Sequence, residues 1–186
     1  MRRLSPGKLR GLQRCTTAGG AMSVLALDHR DNLRRSLNPS DPGSVSFPDM
    51  TQFKLEVVSF LAPNASAVLL DPETGAAQCV AAGALPPDTG VLVAVDATGY
   101  SGEKYKRKST LLPGWNAAKV KKMGADAVKL LVYYHPDTES ARETEELVRK
   151  TAGECSDLDI LFVVEPLSYS QDPNNKNFLQ MKKETS

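Results

Sequence analysis

The sequence predicts an α/β fold, an incomplete (β/α)8 TIM barrel of five strand–helix units with the last helix missing. Three observations carry that prediction. Five short segments rich in Val, Leu, Ile and Ala recur at residues 23–28, 67–71, 91–96, 127–133 and 160–165, and near-continuous apolar runs of this length suit strands buried on both faces. Helical periodicity separates them, and strand then helix, repeated with right-handed crossovers, builds a parallel sheet. Each run ends in or near a polar or charged residue, and barrel enzymes place their chemistry at those strand ends.

Taken in order, residues 4–12 read as a short opening helix. The first strand runs into Asp28-His29-Arg30-Asp31-Asn32. A dinucleotide-binding sheet needs G-x-G-x-x-G at that turn, so a doubly wound nucleotide fold is disfavoured. Phe53, Val57, Val58 and Leu61 recur at three- and four-residue steps and mark a helix. Trp115, Ala118 and Met123 mark another, with Pro113 near its first turn. Residues 138–150 carry Glu139 and Glu143 early and Arg149 and Lys150 late, as a helix dipole prefers. Pro166, directly after Glu165, is expected to stop the fifth strand. Residues 38–48 and 98–112 read as loops. The tail from Ser170 is polar and rich in turn residues, and residues 178–186 are too short for a covering helix and another strand. One domain is expected over 1–186: a lead-in at 1–20, a partial barrel at 21–169 and the polar tail at 170–186.

Composition narrows the function classes. With 41% apolar and 24% charged residues the chain is of ordinary globular make-up, and 23 basic against 22 acidic residues leave a net charge of +1. That balance supplies no field to draw nucleic acid or anionic lipid, so an anionic substrate needs a local site. Cys15, Cys79 and Cys155 form no C-x-x-C pair, and the sequence has neither a secretory h-region nor a membrane-length apolar run; a reduced cytoplasm fits best. His29 and His135 stand in no H-x-H or H-x-x-x-H arrangement, so zinc chemistry is not expected. No cysteine stands at a strand end beside a histidine, which disfavours a thiol nucleophile.

Side chains alternate along a strand, so Lys129 shares a face with Ala127 and Leu131 while Val128, Leu130 and Val132 take the other. If the greasier set faces the helices, Lys129 points into the barrel, where it must be desolvated or paired. The opposite phase would let it snorkel at the strand end. Glu165 shares a face with Leu161 and Val163, and Asp28 with Val24 and Ala26. Each alone reads equally well as a rim salt-bridge residue. Together, a lysine flanked by two carboxylates from three strands suits proton transfer at carbon beside a carbonyl.

At these residues the sequence resembles the tagatose-1,6-bisphosphate aldolase family of class I aldolases, which includes sulfofructosephosphate aldolases. The resemblance runs through residues 23–30 (SVLALDHR), 69–75 (LLDPETG), Thr98-Gly99-Tyr100, Lys106-Arg107 and Trp115. It continues through 124–134 (GADAVKLLVYY), Glu154-Cys155 and the Glu165 strand. It implies a metal-free, cofactor-free barrel that cleaves a phosphorylated ketose into dihydroxyacetone phosphate and an aldehyde through a lysine iminium. Glu165 would be the acid/base, Lys129 a second lysine supplying positive charge, and Asp28 a partner for a substrate hydroxyl. His29 stands where many relatives have glutamine, and Arg30 and Arg107 are candidates for substrate phosphate. The imine-forming lysine of the family lies on a sixth strand, expected beyond Ser186, and the resemblance leaves a small homo-oligomer open. Two other readings remain: Lys129 as the imine former, and a non-catalytic chain that acts by binding or self-association through its unclosed sheet edges.

Overall fold

The structure, a computed structural model, describes residues 4–102 and 107–169. Five parallel strands lie side by side in chain order: β1 (Val24–Leu27), β2 (Ala67–Leu70), β3 (Gly90–Ala94), β4 (Ala127–Tyr134) and β5 (Leu161–Ser168). Helix α1 (Pro6–Cys15) precedes β1. Helices α2 (Asp31–Leu37) and α3 (Phe47–Leu61) follow β1, α4 (Ala76–Ala81) follows β2, α5 (Ala117–Lys122) follows β3 and α6 (Ala141–Asp157) follows β4. This is five-eighths of a barrel, with β1 and β5 as its edges among the described residues. The polar tail 170–186 lies outside the described residues.

Alternation sorts each strand into two cores. Val68, Leu70, Val91, Val93, Val128, Leu130 and Val132 face outward and pack with Val58, Val120 and Cys155 of the helices. Each such side chain, fully buried, contributes about 1.5–3 kcal/mol of transfer free energy. Ala67, Leu69, Leu92, Ala94 and Ala127 face inward with Leu161, Val163 and Cys15. Cys15 ends α1, which crosses the N-terminal end of the barrel. Gly90 permits that crossing, because a Cβ there would stand 2.6 Å from Cys15 Sγ.

Several boundaries differ from those expected. The opening helix spans 6–15 rather than 4–12. Strand β5 continues through Pro166 to Ser168 instead of stopping at Glu165. Leu161 N–H donates to the Asp126 carbonyl, so Val163, Glu165 and Leu167 turn their N–H groups toward β4. The nitrogen of Pro166 therefore falls on the open edge, where a missing donor costs no ladder bond. Helix α5 starts after an Asn116 cap, whose side chain accepts from Lys119 N–H, and Pro113 lies ahead of that cap in a turn. Helix α6 begins after Glu139 and ends at Asp157, so Arg149 and Lys150 sit mid-helix and the last turn carries no basic residue. Helix α4 fills the strand–helix unit expected after β2, for which no residues had been assigned, and α2 is an addition between β1 and α3. In the 38–48 stretch lies a 3₁₀ turn, Pro42–Ser44, and Ser46 and Asp49 form a capping box that starts α3. The 98–112 stretch is pinned by bridges between Asp96 and Leu111 and between Ser101 and Lys108.

Candidate active site

The C-terminal ends of the strands open on a cavity of about 1050 Å³. Lys129 lies on its floor, opposite Ala94 of β3 and Val163 of β5 in the register. It is 2% exposed. The inward phase follows from the outward neighbours Val128 and Leu130, which are wholly buried against helices.

The three residues singled out from the sequence meet here. Lys129 Nζ donates to Asp28 Oδ2 at 2.7 Å and lies 3.0 Å from Glu165 Oε2. Asp28 stands just past β1 and Glu165 within β5, so three strands supply one cluster. A fourth member went unread in the sequence. Asp96, just past β3, lies 3.6 Å from Lys129 Nζ through Oδ1, and the same oxygen accepts from Leu131 N–H at 2.9 Å. The signal was present: Leu92, Ala94 and Asp96 alternate onto the inward face as Lys129 does.

Burial and charge oppose each other in this cluster. Burial disfavours the Lys129 ammonium, but the charges of Asp96 and Asp28 and the hydrogen bonds that Lys129 donates to Asp28 and Glu165 outweigh it, so its pKa is raised above the ordinary lysine value. Burial likewise pushes the Asp96 carboxyl up, against the opposing pull of Lys129, the Leu131 N–H and Arg30. At neutral pH Lys129 is an ammonium.

Arg30, just before α2, is 8% exposed and lines the cavity. Its Nη2 donates to the Asp96 carbonyl and lies 3.4 Å from Asp96 Oδ2, and Nη1 lies 3.8 Å from Glu73. His29 lines the cavity with an exposed side chain. Arg107 is set apart from these: its guanidinium stands over the rings of Tyr100, Tyr133 and Tyr169 at 4.5, 5.1 and 4.9 Å, and Tyr100 and Tyr133 are the rings that line the cavity. Lys106 lies outside the described residues.

Behind β1 and β2 sits a second buried charge pair that sequence reasoning missed. Lys54 of α3 is wholly buried, ion-paired to Asp71, and donates to the His29 carbonyl at 2.9 Å and to Thr74 Oγ1 at 3.1 Å. Asp71 also accepts from the N–H groups of Glu73 and Thr74 at 2.9 and 2.8 Å. Met50, Lys54 and Val58 share one helical face, all buried, and that four-residue spacing was the available clue. Among the described residues no group of three or more His, Cys, Asp or Glu is arranged to hold a metal ion, and no helix is long and apolar enough to cross a membrane.

A parallel strand–helix sheet with a lysine and carboxylates gathered at its C-terminal ends defines a barrel of the (β/α)8 class. Solved structures agree on the fold: an archaeal fructose 1,6-bisphosphate aldolase superposes with a TM-score of 0.55 at 18% identity, over 91% of this chain and 60% of that one. A Schiff-base-forming fructose-1,6-bisphosphate aldolase does so with a TM-score of 0.53 at 15% identity, again over 91% and 60%.

The sequence places the chain more narrowly. Residues 22–184 match the DeoC/LacD family aldolase description, and the chain belongs to that family. The tagatose 1,6-diphosphate aldolase of Lactococcus lactis is 33% identical over 171 residues, 91% of this chain and 52% of that protein. Tagatose 1,6-diphosphate aldolase 1 of Streptococcus mutans is 35% identical over 162 residues, 86% and 49%. The corresponding protein of Listeria monocytogenes is 33% identical over 186 residues, 98% and 54%. The chain thus spans about half the length of the curated relatives it matches.

Proposed function

We propose that this chain supplies the proton-handling half of a class I, Schiff-base aldolase site that cleaves a phosphorylated ketose, such as tagatose 1,6-bisphosphate, to dihydroxyacetone phosphate and an aldehyde. The observation that carries the reading is the Lys129 ammonium held between Asp28 and Glu165 at 2.7 and 3.0 Å on the floor of an open cavity. The relatives named as tagatose 1,6-diphosphate aldolases support the substrate class.

In such a reaction a neutral lysine amine adds to the ketone, water leaves, and the resulting iminium accepts the electron pair released when the C3–C4 bond breaks. The C4 hydroxyl must lose a proton at that moment, and C3 must gain one afterwards. Glu165, with its side chain 49% exposed, reaches the cavity and is the acid/base for these transfers. Lys129 holds positive charge beside the developing alkoxide, and Asp28 accepts from Lys129 while turning to a substrate hydroxyl. His29 and Arg30 line the path to the substrate's oxygens, and Arg107 acts from behind the tyrosine wall.

Lys129 is not the imine former, because a lysine among carboxylates stays protonated and an ammonium has no lone pair to donate. That role falls to another lysine, expected on a sixth strand. Borohydride trapping with dihydroxyacetone phosphate, on a polypeptide carrying this chain and the rest of its barrel, is expected to label a lysine other than Lys129. An adduct on Lys129 would overturn the assignment. Faster cleavage of sulfofructose phosphate than of tagatose 1,6-bisphosphate would transfer the reading to the former substrate.

A further inference from the structure

Three carboxylates surround Lys129, and they differ in kind. Asp28 and Glu165 stand at hydrogen-bond distance and open on the cavity. Asp96 is farther, at 3.6 Å, but its side chain is 10% exposed against 49% for Glu165, so water screens it less. It is also fixed at both oxygens: Oδ1 accepts from Leu131 N–H at 2.9 Å, and Oδ2 faces Arg30 Nη2 at 3.4 Å. None of the roles given above uses it.

We propose that Asp96 is a positioning residue, a fixed counter-charge that keeps Lys129 a cation while its two nearer carboxylates are occupied with substrate. During turnover Glu165 gains and loses a proton and Asp28 turns to a substrate hydroxyl, so neither holds constant charge or constant contact with Lys129. Asp96 is locked by a backbone N–H and a guanidinium and exchanges nothing. The charged groups around Lys129 are Asp28 from the end of β1, Asp96 from β3 and Glu165 from β5, with Arg30 behind Asp96; Asp71 past β2 is committed to Lys54. Of the through-space charges that favour the Lys129 ammonium, that of Asp96 is the largest, and Asp28 adds a hydrogen bond to its own. The inference rests on the aldolase reading only for what the cation is for.

Competitive acetylation across pH, read at the Lys129 peptide by mass spectrometry, measures the amine's titration midpoint. Asp96→Asn removes the charge and keeps an oxygen for the Leu131 N–H. The Lys129 midpoint is expected to fall by about one unit or more, the range for an opposite charge within a few ångströms, and by more than in Glu165→Gln. An unmoved midpoint, or a larger fall in Glu165→Gln, overturns the proposal. A second measurement covers the case where Asp96→Asn fails to fold: in Lys129→Met, the Asp96 carboxyl followed by carbon-13 NMR must titrate at higher pH than in the unaltered chain, and an unchanged Asp96 overturns the proposal equally. Neither readout requires turnover, so failure here leaves the aldolase reading intact, and failure of the borohydride trap leaves this inference intact.

Discussion

Replacing Lys54 by Met keeps the length of the side chain and removes its charge, and the contacts of Lys54 set the size of the effect. The amine is wholly buried and serves three acceptors: the Asp71 carboxylate, the His29 carbonyl at 2.9 Å and Thr74 Oγ1 at 3.1 Å. Removing one partner of a buried pair costs about 3–5 kcal/mol, because the other charge stays in a low-dielectric interior. The lower end applies here. Asp71 keeps the N–H groups of Glu73 and Thr74, at 2.9 and 2.8 Å, and the Thr74 hydroxyl. The expected loss is therefore about 3 kcal/mol, which for a chain of this size lowers Tm by about 6–12 °C. Urea unfolding followed by far-UV circular dichroism measures it. Adding Asp71→Asn should recover part of the loss, since the amide carries no charge to strand, and the double-mutant cycle should be non-additive. A loss below about 1 kcal/mol, or an additive cycle, would show that the buried pair does not lock α3 onto the end of β2 as the geometry requires.

Two further outcomes follow from packing. Gly90→Ala would set a Cβ 2.6 Å from Cys15 Sγ and 2.9 Å from the Arg14 carbonyl; backbone cannot yield as a flexible side chain can, so a loss of about 1–3 kcal/mol is expected in the same urea assay, and an unchanged midpoint would mean α1 does not seat on the start of β3. The three cysteines are buried, and burial, ahead of the charges near each, pushes the thiols up to about 12 for Cys15 and about 11 for Cys79 and Cys155. Ellman's reagent at pH 8 should find no reactive thiol in the folded protein and three after denaturation, and a fast native thiol would contradict the packing of its helix.

Much of the fold was legible because it depends on local rules. The five apolar runs fall on the five strands; β2 and β3 are buried on both faces and have no solvent side to interrupt them, whereas the edge strands β1 and β5 keep apolar residues on a face that is partly exposed. The inward phase of Lys129 was readable because Val128, Leu130 and Val132 claimed the helix side, and Asp28 and Glu165 followed from the same alternation. What failed were judgements on sites whose surroundings decide the cost of breaking a local preference. Pro166 is tolerated in β5 only because its nitrogen faces an open edge. Helices α2 and α4, seven and six residues long, are too short to show a periodicity of their own; they exist because β1 and β2 hold their ends.

The sequence by itself determined which residues can share a face of a strand or a helix, and therefore that a lysine and carboxylates arise at the ends of separate strands. Distance was decided by the tertiary structure alone. Lys129 and Asp28 are 101 positions apart in the chain, and no local preference says that 2.7 Å separates their charges. Strand register does: Lys129 opposite Ala94 puts Asp96 beside it, and Leu131 opposite Glu165 places the exposed carboxylate within reach. The same pairing turns Lys54, a polar residue on a helical stripe, into a buried ion held by Asp71. Whether a charge is a solvated surface group or part of a site depends on what the fold brings against it, and that is a property of the assembled sheet.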